Sequence, residues 1–439
     1  MAGFGMAGSF RQRRARLVTA IGSHLPHFSP CCSSATGGIS LTSGMSLAVV
    51  RSVVSIGLGL GAATHASANI YTVTSSADDN SAGTLREQIA ASSAGDTIQF
   101  AAALNGSTIT LQQGQIPIDH ALTVAGPGAD KVTISGNNAS RIFQIYNFGS
   151  IPPAVTISGL TLSAGNTAGN GGAIYALNIG LSVQNCVLSG NTAHFGGSIY
   201  AGGGTNATAT LNNATLSGNS AASGGAFFLK GQSSVAIVGS TMTGNSTTTC
   251  CGGGYIGYAG SVTISSATIG TNTVSGANGN AGGMAFTHIG TSLQVSNSTI
   301  SGNVSLKGHG GGLWITDSGA VVTNSHISGN SAYFGAGIYA HDDRATTSAD
   351  ITLAQDTVSG NTAVFYGGGI DANRLHGLAI GYSQISGNHA TSAVSSIGGG
   401  IALRSTFTSA NVHDTTIYGN YAYNRGGGKI GRASCRERV

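Results

Sequence analysis

The chain has 439 residues, of which 71 are glycine and only 7% are charged. A helical solenoid or coiled coil needs far more Leu, Glu and Lys, so this composition excludes one and points to a glycine-rich β-protein. The formal charge of +4 does not denote a nucleic-acid-binding protein: between Asn69 and Lys429 ten basic residues stand against thirteen acidic ones, and the remaining basic residues sit at the two ends. No basic stripe is left to neutralise phosphates.

In chain order, the first legible element is a secretion signal. From Met45 the chain reads MSLAVVRSVVSIGLGLGAATHASA, with one Arg, an apolar stretch and Ala66-Ser67-Ala68 ahead of Asn69, the small-x-small pattern of a cleavage site. The apolar stretch is too short to span a membrane comfortably. Residues 45–68 therefore read as a signal peptide and residues 1–44 as an extension ahead of the true start. A secreted or cell-surface location follows as an expectation, with no transmembrane helix in the mature segment.

Residues 69–134 form a lead-in to the repeats. In AGTLREQIAASSAGDTIQF, Thr84 and Glu87 have the spacing of a capping box, and Leu85 and Ile89 share one side of a short helix. Such a helix closes the end of a stack whose exposed strand edges invite unwanted pairing. Strands are predicted at TIQF, STITL, ALTVAG and KVTIS.

Residues 135–428 repeat. A strand-like run ends in Ser-Gly-Asn or a close variant, then a short spacer leads to a glycine doublet or triplet and to aliphatic and aromatic residues. The eleven asparagines from Asn137 to Asn420 recur about every 28 residues, a period that signals a solenoid. Less its turns, such a unit leaves room for three strands of four or five residues. Parallel stacking of these rungs gives an all-β helix of triangular section, filled by alternate side chains. The Asn either ladders from rung to rung or serves as a plain turn residue. Residues 429–439 break the pattern: IGRASCRERV resembles translated adapter sequence, so the tail is expected to be non-native and the repeats to continue past Gly428. Outside the two ends only Cys186, Cys250 and Cys251 remain, and no disulfide framework or zinc site is expected from them.

The rungs SGNTAGNGGAIYA, SGNTAHFGGSIYA and SGNTAVFYGGGI resemble those of bacterial right-handed parallel β-helix repeat proteins, including the polymorphic outer-membrane-protein and surface-adhesin type. The segment GTLREQI…GDTIQF is similar to the leader motif of large surface β-helix proteins, usually introduced by Cys-Ser-Leu-Arg-Glu-Ala, with Gly83-Thr84 in place of Cys-Ser and Gln88 in place of Ala. The resemblance implies a right-handed parallel β-helix over roughly residues 70–428 and a passenger-like structural or adhesive role.

Aligned on the second glycine, the following strand alternates. Ile174, Ile199, Phe227, Leu313, Ile338, Ile370 and Ile401 are expected to face in; Tyr175, Tyr200, Phe228, Ile256, Phe286, Trp314, Tyr339, Asp371 and Ala402 are expected to face out. The outward aromatics form either a structural stacking ladder or a flat platform for sugar rings or a protein partner. The binding residues expected are Tyr175, Tyr200, Phe228, Phe286, Trp314 and Tyr339. The next outward file is read as Lys230, Tyr258, His288, Thr316, His341, Asn373 and Arg404. The alternative is a polysaccharide-degrading enzyme, pectate lyase- or polygalacturonase-like, using Asp317, Asp342, Asp371 and Arg374, with His341 nearby, to hold Ca2+ or to do acid/base work; no cofactor is expected outside this alternative. Solvated loop charges explain the same aspartates. The expected partner is a glycan or a surface protein.

Overall fold

The computed structural model describes residues 68–431, apart from 147–148, 150, 205, 278, 345–348 and 406–408. The predicted extension, all but the last residue of the signal segment, and residues 432–439 of the tail lie outside the described residues.

The chain is an all-β parallel solenoid of about twelve turns. Every strand pairs in parallel with its equivalent one rung away, as Ile174↔Ile199 and Tyr175↔Tyr200 show. Three long sheets result. A thirteen-stranded sheet runs from Ile70–Val73 to Ser409–His413, a twelve-stranded sheet from Ser107–Thr110 to Thr416–Tyr418, and a second twelve-stranded sheet, which follows the glycines, from Ile116–Ile118 to Lys429–Gly431. A fourth sheet of nine short strands, Thr192–Phe195 to Tyr421–Ala422, fills the stretch between the Asn and the glycines. The three-strand reading did not include it, because segments such as SAAS carry no apolar alternation.

The predicted inward residues are buried: Ile174, Ile199, Phe227, Leu313, Ile338, Ile370 and Ile401 all have no exposure, so each large aliphatic contributes about 1.5–3 kcal/mol. The asparagines do form a ladder. From Asn191 to Asn388 each is buried, and its Nδ2 and backbone N–H both donate to Oδ1 of the next rung's Asn, at 2.9 and 3.0 Å for Asn245 to Asn272. Asn137 and Asn166 are exposed and stand outside this buried run. Helix α1 (Leu85–Ala91) lies against the first strand and buries Leu85 and Ile89 in the core. Its capping box is not formed: Thr84 Oγ1 donates to Ser81 O at 2.8 Å, and Glu87 accepts from Gly83 N at 3.2 Å.

Candidate functional site

The sheet that follows the glycines carries the site, and its register decides which side chains reach the surface. Paired rung by rung, the outward file is Gln144, Tyr175, Tyr200, Phe228, Tyr255, Ala285, Trp314, Tyr339, Asp371 and Ala402. Two rungs differ from expectation. Ile256 and Phe286 are aligned with Leu229 and Ile315, face inward and have no exposure. Phe286 is thus a core residue. Counting from the second glycine slips here because Cys251 and Ala281 hold the place that Gly196 holds elsewhere. Both adopt the left-handed conformation, φ 70° and 57°, that this turn demands. The same slip affects the second outward file: Gly257 and Thr287 stand in register with Lys230 and Thr316, while Tyr258 and His288 sit in the turn beyond, at φ 55° and 56°.

The aromatics of the first rungs stack. Ring centroids are 5.4 Å apart for Tyr175 and Tyr200, 5.8 Å for Tyr200 and Phe228, and 4.3 Å for Phe228 and Tyr255, with interplanar angles of 20° or less. Gly196 makes the preceding corner re-entrant: a Cβ there would lie 2.0 Å from Ile199 O. The corner brings Phe195, at the end of the fourth sheet's strand, to 5.0 Å from Phe228. At the other end the Arg141 guanidinium lies 5.0 Å from the Tyr175 ring centroid, held by the carbonyls of Asn170 and Gly171. Burial, and then the Tyr175 hydroxyl, push the Tyr200 phenol above its ordinary range, so it remains a neutral donor and acceptor.

Above Tyr175 and Tyr200 lies an open groove of about 1030 Å3. Gln144 and Tyr146 bound one end, Asn178 and residues 202–204 the side, and Lys230 and Tyr258 the other end. Among the described residues no carboxylate lines it. Lys230 Nζ stands 5.3 Å over the Tyr258 ring. Trp314 and Tyr339 lie farther along the file. Trp314 packs with Cys251, Ala281 and Ala285; Tyr339 is 6% exposed and meets His309 at 4.5 Å between ring centroids. Cys250 and Cys251 are bridged to each other, contrary to the expectation of no disulfide. The left-handed Cys251 turn places the two side chains together.

Of the residues of the enzyme alternative, Asp317, Asp342 and Arg374 fall in one turn-edge cluster and Asp371 stands apart from it. Asp371, outward by parity, has no exposure, and both its oxygens are taken by Arg404 at 2.7 Å. Burial raises its pKa against the opposing pull of Arg404. Asp317 and Arg374 meet in a different cluster on the turn edge, joined by Asp343: Asp317 Oδ1 accepts from Asp343 N at 2.8 Å, and Arg374 Nη1 donates to Asp343 Oδ1 at 3.3 Å. His288 and His341 flank it, 3.5 Å from Asp317 and 2.7 Å from Asp343. Asp342 is buried and accepts from Arg344 N. General acid/base work needs two groups within reach of one bond; Asp371 is closed off by Arg404, while Asp317, Asp342 and Asp343 are tied to one another through Arg344, Arg374 and backbone N–H groups. Among the described residues no group of three or more His, Cys, Asp or Glu is placed to hold a metal ion.

Residues 172–358 match the family model described as right handed beta helix region. Among solved structures the chain is similar to the A-module of the mannuronan C-5 epimerase AlgE6 of Azotobacter vinelandii, at 15% identity over 79% of this chain and 88% of that one, with a TM-score of 0.38. It is also similar to the A-module of the mannuronan C-5 epimerase AlgE4 of Azotobacter vinelandii, at 13% identity over 81% and 88%, with a TM-score of 0.31. At these scores neither likeness bears on activity. No curated protein matches the chain.

Proposed function

We propose that this right-handed parallel β-helix is a secreted or surface-displayed binding protein that holds a glycan chain in the groove over Tyr175 and Tyr200. The observation that carries the reading is the groove itself, an open channel floored by stacked, half-buried rings and edged by the amides of Gln144 and Asn178 and the Lys230 ammonium. Sugar rings present C–H groups and a hydroxyl rim, which the outward edges of the stacked rings, the Tyr hydroxyls and the amides beside them complement. Tyr175 and Tyr200, on successive rungs about 4.8 Å apart, offer a linear polymer two such contacts along the axis. Cleavage is disfavoured because the groove lacks a carboxylate among the described residues and Asp371 is sealed by Arg404.

A glycan array probed with the full chain and with Tyr200→Ala tests this. The expected result is binding by the wild type and about tenfold weaker binding by the variant, the scale of one lost stacking contact with its buried area. Equal binding by both, or none by either, overturns the groove reading. Release of new reducing or unsaturated ends from a bound polymer would favour the enzyme instead.

A further inference from the structure

The groove continues sideways, at the turn after the aromatic strand, into a second hollow of about 430 Å3. The two share Gly203, Gly204, Gly231 and Tyr258, and the hollow adds Gln232, Ser233 and Gly260. Its wall is thus built from equivalent turns on three successive rungs, and four of its seven residues have no side chain. Gly231 needs its φ of +72°, and a Cβ at Gly203 would sit 2.7 Å from Gly231 O and 2.8 Å from Gln232 Nε2. At Gly204 a Cβ would meet only Asn178 Oδ1, at 3.4 Å, so this position faces open space.

Gln232 supplies the second observation. It is 2% exposed, and its Nε2 donates to the carbonyls of Ala201 and Lys230 at 3.2 and 3.4 Å. Those two acceptors orient the amide, since turning it over would set its oxygen against them. Oε1 then has no hydrogen-bond partner among the described residues. Buried acceptors are rarely left so.

We propose that the hollow is a subsite for a single sugar residue carried as a branch on the glycan main chain, with a hydroxyl of the branch donating to Gln232 Oε1. This rests on the reading of the groove as glycan-binding and deepens it to a branched substrate. The hollow has the size of a small-ligand pocket and lies off the line of Tyr175, Tyr200 and Phe228, so a unit filling it must leave the path of a main chain stacked on those rings. Glycine backbone and the Tyr258 side chain give the hollow a mostly apolar surface, which suits the C–H face of a sugar ring, while the unpaired amide oxygen beneath it calls for a hydroxyl donor.

The test is a glycan array holding matched branched and unbranched oligosaccharides, probed with the full chain, with Gly204→Leu and with Gln232→Met, melting curves being recorded for each. Gly204→Leu fills the mouth of the hollow without forcing the backbone. Because Gly204 also edges the groove, its readout is the ratio of branched to unbranched binding, which is expected to fall about tenfold, the equivalent of one lost ligand hydrogen bond. Gln232→Met, at a side chain that lines the hollow and not the groove, is expected to lower the same ratio while leaving the unbranched partners unchanged; should it melt early, the ratio in Gly204→Leu decides. Equal affinity of the wild type for branched and unbranched partners, or an unchanged ratio in Gly204→Leu, overturns the branch subsite and leaves the groove reading standing. No binding to any glycan overturns both.

Discussion

Arg404 clasps Asp371 across one rung with two hydrogen bonds of 2.7 Å, Nε to Oδ1 and Nη2 to Oδ2, and the carboxylate has no exposure at all. The guanidinium is itself roofed by Tyr366 and Phe334, 4.8 and 5.6 Å from their ring centroids. Removing one member of such a pair strands the other's charge. Arg404→Ala is expected to cost about 3–5 kcal/mol in urea unfolding. The double variant Asp371→Ala, Arg404→Ala should cost less than Arg404→Ala alone, because the next rung already carries Ala402 in the register of Asp371. A double variant as unstable as the single one would show that Asp371 is not left as an uncompensated charge.

The buried asparagine run makes a sharper contrast between two residues of one motif. Asn303 accepts at Oδ1 from Asn272 N and Nδ2, at 3.1 and 2.9 Å, and gives its own Nδ2 to Ile269 O and Asn330 Oδ1. Asn303→Ala orphans several buried groups and is expected to cost about 3–5 kcal/mol, at roughly 1–3 kcal/mol for each unpaired group. Asn166 is exposed, and its side chain makes one hydrogen bond among the described residues, Nδ2 to Asn138 O, so Asn166→Ala, which keeps the backbone bond to Ser140 O, should stay within about 0.5 kcal/mol. Amide exchange around residue 272 provides a local readout, and comparable protection in the two variants would count against a ladder that carries stability.

Phe286 and Tyr200 separate core from platform. Phe286→Ala is expected to cost about 3–5 kcal/mol, as for other buried aromatics, with no change in ligand preference in the molecules that remain folded. Tyr200→Ala removes one half-buried ring from the stack, with a loss of about 0.5–1.5 kcal/mol beyond burial, and acts mainly on binding. Thermal melts and array binding on the same samples distinguish the two, and the expectation fails should Phe286→Ala alter affinity while leaving the melt unchanged.

The scaffold was legible because a rung imposes the same demand about every 28 residues. Ile174, Ile199 and Phe227 bury, Tyr175 and Tyr200 face out, and the glycine before them turns left-handed. The reading slipped where Cys251 and Ala281 take that turn without a glycine, since a count anchored on glycine identity cannot see a backbone angle. Parity along one strand also left Asp371 outside; Arg404, which takes both its oxygens, comes from the next rung and is itself covered by Tyr366 from another strand. The side hollow was illegible for the same reason. Gly204, Gln232 and Tyr258 are meaningless singly and form a wall only when three turns are stacked.

Asp356, which is buried, and His309, which is half-buried, should tilt the stability profile in opposite directions over the same pH window. Asp356 is 1% exposed, and burial pushes its carboxyl up to about 6 despite hydrogen bonds from Ser325 N and Ala354 N. Its folded pKa is raised, so its contribution is fully present below the unfolded value near 3.9 and is lost as pH rises through about 6, a change of about 3 kcal/mol. His309, packed on Phe334 and Tyr339, is held down to about 4 by burial first and then by Arg404 and His341. Its contribution is present above the unfolded value near 6.5 and is lost as pH falls through about 4, again by about 3 kcal/mol. The wild type should therefore show little net slope from these two groups between pH 4 and 6. Asp356→Ser keeps the hydroxyl that Ser325 and Ser383 supply at the same place on neighbouring rungs, and should expose a profile that rises with pH. His309→Gln should expose one that falls. Unfolding measured at pH 4, 5 and 6 decides it: parallel profiles for the wild type and Asp356→Ser would mean that Asp356 is ionised in the folded chain.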